Sequence, residues 1–195
     1  LEFLDRLSIP ACSVVGNSMG GPVALKMALD RPDRIERLIL MGPGGIEDME
    51  TYMQSEGNRT MFPMFLADRS MDEDDLRRLL ELQVFDPRHI TDALVAERAA
   101  VMRMQPRAIL RNLRGLNLAD RLGEIACPIL GFWGMEDKFN PASGALKFLA
   151  HCRDARFMIV NRCGHWVMVE HAELFNRVSL DFLDEGRSAV PIPRQ

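Results

Sequence analysis

The sequence predicts an α/β protein with a parallel sheet and an inserted group of helices. Short apolar runs typical of buried strands alternate with amphipathic helical segments in residues 1–45 and again in 117–195. Residues 46–116 show helical periodicity and no strand-like run. Because parallel strands need helical crossovers, we expect one doubly wound sheet built from both outer segments, with 46–116 inserted as a helical cap or lid.

The first segment has the order strand, helix, strand. The end of an amphipathic helix at 1–7 precedes a valine-rich apolar run at 11–15, which predicts a buried strand. Pro22 suits the first turn of a helix, and Pro32 ends that helix. The apolar run 37–41 is a second strand. The segment is therefore a βαβ unit with a right-handed crossover.

Two helices are predicted in the insert. The acidic run 72–75 marks the start of one and complements its dipole, and the other spans 91–104. The first helix carries side chains at helical spacing, which are Leu76, Leu79, Leu80, Gln83 and Val84. In the last segment, the predicted strands are 128–133 and 155–160, and the predicted helices are 141–150 and 171–183. The buried face of the last helix consists of Phe175, Val178 and Phe182.

Composition excludes several classes of function. The 195 residues include 24 Lys and Arg against 28 Asp and Glu, a net charge of −4, so we expect no nucleic-acid partner. No apolar run reaches the roughly 18 residues of a membrane span, and the N-terminus does not resemble a signal peptide. We expect a cytoplasmic protein without membrane contact. The four cysteines lack C-x-x-C spacing and are predicted to be free thiols.

The strongest chemical signal lies between the first strand and the following helix. Residues 16–20 read G-N-S-M-G, a G-x-S-x-G pattern in the strand-to-helix context that a nucleophile elbow requires. The flanking glycines leave room for strand and helix to approach each other. Ser18 is therefore predicted to be a nucleophile, and the Met19 backbone N–H is available to an oxyanion.

A serine hydroxyl needs a base and an orienting carboxylate. Among four histidines, His165 follows a strand and comes last in the chain order serine, acid, histidine. Asp137 follows the strand at 128–133 and is our choice of acid, with Glu136 as the adjacent alternative. These residues can meet only if each follows a strand of one sheet.

Arg98 stands on an apolar stripe of the predicted helix 91–104. Its neighbours at helical spacing are Leu94, Val95, Val101 and Met102. Such an arginine either extends along the edge of the apolar face or points into a cavity to bind an anion. Periodicity alone favours the edge.

These features together resemble the α/β-hydrolases and, more narrowly, the meta-cleavage product hydrolases, which cleave carbon–carbon bonds in bacterial aromatic and steroid ring degradation. The resemblance is carried by residues 16–21 (G-N-S-M-G-G), 38–45 (L-I-L-M-G-P-G-G), Arg98, and 163–166 (C-G-H-W) together with 170–171 (E-H). It implies a triad of Ser18, Asp137 and His165.

The same resemblance assigns a binding role to four further residues. Arg98 would bind the carboxylate of a dienoate substrate, Asn17 and Trp166 would line the polar part of the pocket, and Phe139 would line its apolar part. Family members begin with further strands and a loop that supplies a second oxyanion donor. We therefore expect that N-terminal strands are missing here, that 11–15 forms an exposed apolar edge, and that this segment alone is poorly soluble or inactive.

The implied activity is hydrolysis of 2-hydroxy-6-oxohexa-2,4-dienoates to 2-hydroxypenta-2,4-dienoate and a carboxylic acid. Neither a metal nor an organic cofactor is expected, and the family suggests a homo-oligomer. A carboxylesterase with the same triad is the alternative enzyme, and a non-catalytic small-molecule receptor is a third hypothesis. The sequence does not select the substituent on the ketone carbon.

Overall fold

A computed structural model describes residues 1–67, 71–104 and 116–185. Its described part contains one sheet of four parallel strands in the order β1-β2-β3-β4. The strands are β1 (Cys12–Asn17), β2 (Ile35–Met41), β3 (Ile129–Gly134) and β4 (Ala155–Val160). All four predicted strands are confirmed, and the sheet is parallel as expected.

Helices precede, follow and separate the strands. Within the outer segments these are α1 (Glu2–Arg6), α2 (Gly20–Asp30), α7 (Gly144–His151), α8 (Val167–Glu170) and α9 (Ala172–Asp184). Between β2 and β3 lie α3 (Met49–Gln54), α4 (Glu56–Leu66), α5 (Glu73–Glu81) and α6 (Asp92–Met104). Short 3₁₀ turns occupy Pro32–Arg34, Pro87–His89 and Ala119–Glu124. None of the helices in the described ranges is both long and apolar enough to span a bilayer.

The sheet is covered on both faces, which explains its continuous apolar strands. Alternate residues of a strand point to opposite faces. In β2, Leu38 and Leu40 pack into one core with helices α2 and α7, whereas Ile39 and Met41 pack into a second core with helix α9. All four are at most 4% exposed. Burial on both sides is typical of parallel sheets with helical crossovers.

Strand β1 departs from the expectation of a fully buried strand. It pairs only with β2 among the described strands, and Val15 is 53% exposed. An edge strand has one free side, so its outward residues are not covered by a neighbour. The exposed edge predicted for 11–15 is therefore present in the described chain.

Helix α5 is shorter than its sequence pattern predicts. Asp72 caps it through a capping box with Asp75, as the acidic run indicates, but the helix ends at Glu81. Gln83 therefore lies outside it, and its carbonyl accepts a hydrogen bond from the Trp166 N–H at 3.0 Å. The N–H groups of Gln83 and Val84 donate to carbonyls three residues back, so the last turn of the pattern is not α-helical.

Register brings the strand ends to one edge of the sheet. Asn17 pairs with Met41, Met41 pairs with Phe132, and the last residue of β3 pairs with that of β4. The loops that follow the four strands therefore begin side by side. Ligands of open parallel sheets bind at this carboxyl edge.

Candidate active site

Ser18 occupies a tight turn directly after β1. Its φ is +52°, a left-handed conformation that costs a residue with a Cβ atom about 1–2 kcal/mol. Three backbone hydrogen bonds hold it there. The Ser18 N–H donates to the Met41 carbonyl at 3.0 Å, and the Ser18 carbonyl accepts from the N–H groups of Gly21 (2.9 Å) and Gly44 (3.0 Å). The strand-to-helix elbow predicted from the sequence is present.

Only one of the two glycines that flank Ser18 is needed for space. A Cβ atom added to Gly16 would lie 2.6 Å from the Gly20 carbonyl oxygen, so strand and helix do meet there. A Cβ atom at Gly20 would contact no described residue within 4 Å. The next residue, Gly21, is the close one, because its Cβ would lie 2.5 Å from Pro43 Cβ. The spatial requirement predicted for Gly20 therefore falls on Gly21.

His165 and Asp137 form a buried pair at the carboxyl edge. His165 Nδ1 lies 2.6 Å from Asp137 Oδ2, and the two side chains are 1% and 0% exposed. The other carboxylate oxygen, Oδ1, accepts the backbone N–H groups of Phe139 at 2.8 Å and Asn140 at 3.0 Å. These bonds fix the carboxylate plane. His165 Nε2 is buried and has no hydrogen-bond partner in the described ranges, so it is available to a proton.

The structure separates the two candidate acids. Asp137 contacts His165, whereas Glu136 Oε2 accepts the backbone N–H of Cys163 at 3.0 Å. Glu136 thus supports the loop that carries the histidine. The Cys163 thiol lies near the carboxylates of Glu136 and Asp137. Burial is the main cause that strongly raises the pKa of this thiol, and the nearby Glu170 carboxylate is the second cause. A thiol held neutral in this way is a poor competing nucleophile.

Gly42 is a site residue that the sequence reasoning missed. It follows β2 with φ +43°, and a Cβ atom there would lie 2.8 Å from Asp137 Oδ2 and 2.9 Å from His165 Nδ1. Its carbonyl accepts the Asn140 side-chain amide at 2.7 Å. The backbone of residue 42 therefore packs directly against the Asp–His pair. The glycine-rich loop after β2 was the available signal, but it was used only as part of the motif 38–45 that carries the family resemblance and was given no role in the site.

A cavity of about 220 Å³ lies between helices of the insert and the loop after β4. Its described lining is mostly apolar and consists of Met61, Phe65, Leu76, Leu79, Leu80, Gln83, Arg98, Val101, Met102 and Trp166. Arg98 is the one charged member, and its Cζ lies 5.6 Å from the centre of the Trp166 ring. Arg98 is exposed and also lines the cavity. It therefore lies at the edge of the apolar face, as periodicity favours, and still borders a cavity that could hold an anion.

The remaining predicted site residues lie at or near the same sheet edge. Asn17 donates its side-chain amide to the Met41 carbonyl at 3.1 Å. Phe139 is 3% exposed, and its ring lies 5.2 Å from the ring of His165. Met19 precedes α2, where the first backbone N–H groups of a helix lack helical acceptors. The described lining of the cavity includes Trp166 but not these three residues.

A serine elbow and a buried Asp–His pair at the carboxyl edge of a parallel sheet define the α/β-hydrolase class. The chain belongs to the alpha/beta hydrolase fold family, whose model matches residues 1–172.

Within that family, the chain is similar to meta-cleavage product hydrolases, so the resemblance predicted from the motifs is confirmed. It is 41% identical to the 2-hydroxy-6-oxononadienedioate/2-hydroxy-6-oxononatrienedioate hydrolase of Comamonas testosteroni, covering 94% of this chain and 66% of the relative. It is 39% identical, with the same coverage, to the 2-hydroxy-6-oxo-6-phenylhexa-2,4-dienoate hydrolase of Burkholderia cepacia. The chain thus spans just under two thirds of the length of these relatives.

A solved structure agrees with the fold. The meta-cleavage product hydrolase from Pseudomonas fluorescens IP01 superposes with a TM-score of 0.76 and 25% sequence identity. The match covers 94% of this chain and 68% of that one.

Proposed function

We propose that the protein hydrolyses a carbon–carbon bond of 2-hydroxy-6-oxohexa-2,4-dienoates, giving 2-hydroxypenta-2,4-dienoate and a carboxylic acid. The observation that carries the proposal is the buried Asp137–His165 pair, whose free Nε2 lies at the sheet edge where the Ser18 elbow is held. The names of the relatives at 39% and 41% identity support this substrate class.

In the proposed mechanism, the dienol of the substrate first ketonises. The fragment that carries the carboxylate can then accept the electron pair of the bond to be broken and so becomes a leaving group. Ser18 Oγ then forms a bond to the ketone carbon while His165 Nε2 takes the serine proton. Asp137 accepts the Nδ1–H bond and stabilises the imidazolium. The Met19 N–H donates to the oxyanion.

Collapse of this intermediate breaks the carbon–carbon bond, and the electron pair leaves with the dienoate fragment, which takes a proton from His165. The acyl group stays on Ser18 as an ester. Water, deprotonated by His165, then attacks that ester and releases the carboxylic acid. Each step uses the same imidazole as base and then as acid.

Arg98 is the proposed partner of the substrate carboxylate. It is the charged member of an otherwise mostly apolar cavity wall, and a guanidinium can bind a carboxylate through two parallel hydrogen bonds. The Trp166 ring beneath it restricts where the guanidinium can lie. A dienoate would thus be held at its charged end, with its apolar part against the side chains of the insert.

The test compares turnover of a dienoate and of a neutral ester by Arg98→Ala. Loss of a charged pair in a partly dry site costs about 2–5 kcal/mol, so we expect kcat/KM for the dienoate to fall at least roughly 30-fold. Ester hydrolysis should stay within about twofold. Arg103→Ala, an exposed arginine on the same helix, is the matched control and should change neither rate.

Equal losses on both substrates would contradict the carboxylate role of Arg98. Ester cleavage by the wild type without any dienoate cleavage would favour the carboxylesterase alternative. A homo-oligomer and a cytoplasmic location are also part of the proposal. Light scattering gives the molar mass of the purified protein in solution and so tests the homo-oligomer.

A further inference from the structure

One carboxylate joins the loop that carries His165 to the insert. Glu170, the last residue of α8, accepts the Gly164 N–H through Oε2 at 2.6 Å. Its other oxygen, Oε1, accepts the N–H groups of Phe85 and Asp86 at 2.9 Å each. We name residues 161–166 the histidine loop and residues 82–86 the connecting segment. Glu170 thus binds both of them at once.

Other contacts join the same two segments. The Trp166 N–H donates to the Gln83 carbonyl at 3.0 Å, and the Arg162 guanidinium lies 5.3 Å from the centre of the Phe85 ring. A Cβ atom at Gly164 would lie 2.7–2.8 Å from the backbone of Gln83 and Val84. The histidine loop and the connecting segment are therefore in direct backbone contact beside the site.

These contacts lie between the lining of the cavity and the peptide that precedes His165. The connecting segment directly follows α5, whose leucines line the cavity together with Gln83. The Gly164 peptide immediately precedes His165, so a shift of that peptide moves the imidazole relative to Asp137. The histidine loop also contains a strained residue, because Arg162 has φ +54°. External hydrogen bonds must hold such a loop in place.

We propose that Glu170 is a positioning residue that couples the insert to the histidine loop and so keeps His165 aligned with Asp137. This inference rests on the proposed function, because His165 acts as a base only there. Substrate that fills the cavity presses on α5, and the carboxylate bridge carries that constraint to the peptide before the base.

Glu170→Gln breaks the bridge but keeps a side chain of the same size. A glutamine has one acceptor oxygen and an NH₂ group that only donates. If the oxygen stays with Phe85 and Asp86, the NH₂ faces the Gly164 N–H and displaces it. If the side chain turns over, both bonds to the connecting segment are lost.

Glu173→Gln is the matched control. Glu173 is exposed in the first turn of α9, three residues further along the chain, and its carboxylate accepts no hydrogen bond from a described residue. Both substitutions remove one negative charge, and only Glu170→Gln breaks the bridge.

The experiment measures kcat and KM for a small neutral ester and for a dienoate, together with the proton NMR signal of the His165 Nδ1–H. In Glu170→Gln we expect kcat to fall about 10-fold or more on both substrates, with little change in the KM for the ester. The Nδ1–H signal should move upfield or broaden. Glu173→Gln should keep its rates within about twofold and retain the signal.

Three results would overturn the inference. An unchanged kcat with a lowered melting temperature would mean that Glu170 is only structural, and equal losses in Glu173→Gln would mean that charge rather than the bridge matters. An unchanged Nδ1–H signal in folded Glu170→Gln would also contradict it.

If Glu170→Gln does not fold, Glu170→Asp keeps the charge but is too short to reach both segments, and the same losses are expected. The ester and the NMR signal do not depend on carbon–carbon cleavage. If the wild type does not cleave dienoates, the proposed function is contradicted, but the ester rates and the NMR signal still test the inference.

Discussion

Replacing Gly42 by alanine tests whether the backbone after β2 is part of the active site. The new methyl group would lie 2.8 Å from Asp137 Oδ2, 2.9 Å from His165 Nδ1 and 3.1 Å from His165 Cε1. It cannot be accommodated without moving the pair or the loop, because both side chains are buried and Asp137 is fixed by two backbone N–H groups. The alanine would also retain φ near +43°.

The magnitude follows from these two effects. A left-handed conformation costs alanine at least about 1 kcal/mol relative to glycine. Overpacking of a rigid buried site adds about 1–3 kcal/mol. We therefore expect Gly42→Ala to lower the free energy of unfolding by roughly 2–4 kcal/mol. Activity should fall more steeply, because a displacement of catalytic groups by about 1 Å can cost 10²-fold in rate.

Chemical denaturation measures the first effect, and hydrolysis of a small neutral ester below the unfolding transition measures the second. The control is Gly123→Ala, because its added methyl group would make only an ordinary 3.5 Å contact with the His151 carbonyl. It should leave the rate unchanged. A folded Gly42→Ala protein with at least half of the wild-type rate would refute the reasoning.

Two further predictions concern the acid and a buried thiol. Asp137→Asn should lower kcat by about 10⁴-fold, measured on the same ester. The amide oxygen remains with the two backbone N–H groups, and the NH₂ then faces His165 Nδ1 and places the imidazole proton on Nε2. Burial, followed by the nearby Cys127 thiol, raises the pKa of Cys152 to about 11 from an ordinary 9.0. Its alkylation by iodoacetamide at pH 8 should therefore be roughly 100-fold slower in the folded protein than in guanidinium chloride, and stability should fall as the pH rises above 9. Equal rates in both states, or a fully active Asp137→Asn, would contradict these accounts.

The strands and the loops that follow them were predictable because their signals are local. The runs that form β2 and β3 are covered on both faces of the sheet, so their sequences read as continuous apolar segments, and β4 was placed at its observed bounds. The serine elbow was predictable for the same reason, since the pattern around Ser18 describes one turn. Residues that act within a turn or a strand leave a readable pattern.

Residues that act across the fold left no local pattern that reveals their role. The close contacts of Gly42 involve Asp137 and His165, which lie about a hundred residues further along the chain. Glu170 has the same character, because its acceptor role depends on Phe85 and Asp86. A glycine in a loop and a glutamate at the end of a helix look ordinary until the topology brings their partners to one edge of the sheet.

The end of α5 was predicted too late in the chain, and the choice of Asp137 over Glu136 agrees with the structure although the local sequence could not decide it. The pattern of α5 continues to Val84, but the helix ends at Glu81 and the Gln83 carbonyl accepts a hydrogen bond from Trp166, a tertiary contact that the local sequence does not indicate. Glu136 and Asp137 are adjacent and chemically alike. Only the direction of the loop after β3 decides which carboxylate reaches the histidine.

The most direct test of the central claim is the visible absorbance of 2-hydroxy-6-oxo-6-phenylhexa-2,4-dienoate during reaction with the wild type and with Ser18→Ala. It should be run on the 195-residue chain and on the longest protein that its gene encodes. We predict bleaching over many turnovers by at least one wild-type form, release of benzoate and 2-hydroxypenta-2,4-dienoate, and loss of turnover by at least roughly 10³-fold in the Ser18→Ala variant of that form. No bleaching by either wild-type form, while a simple ester is still cleaved, would contradict the assignment of carbon–carbon bond hydrolysis.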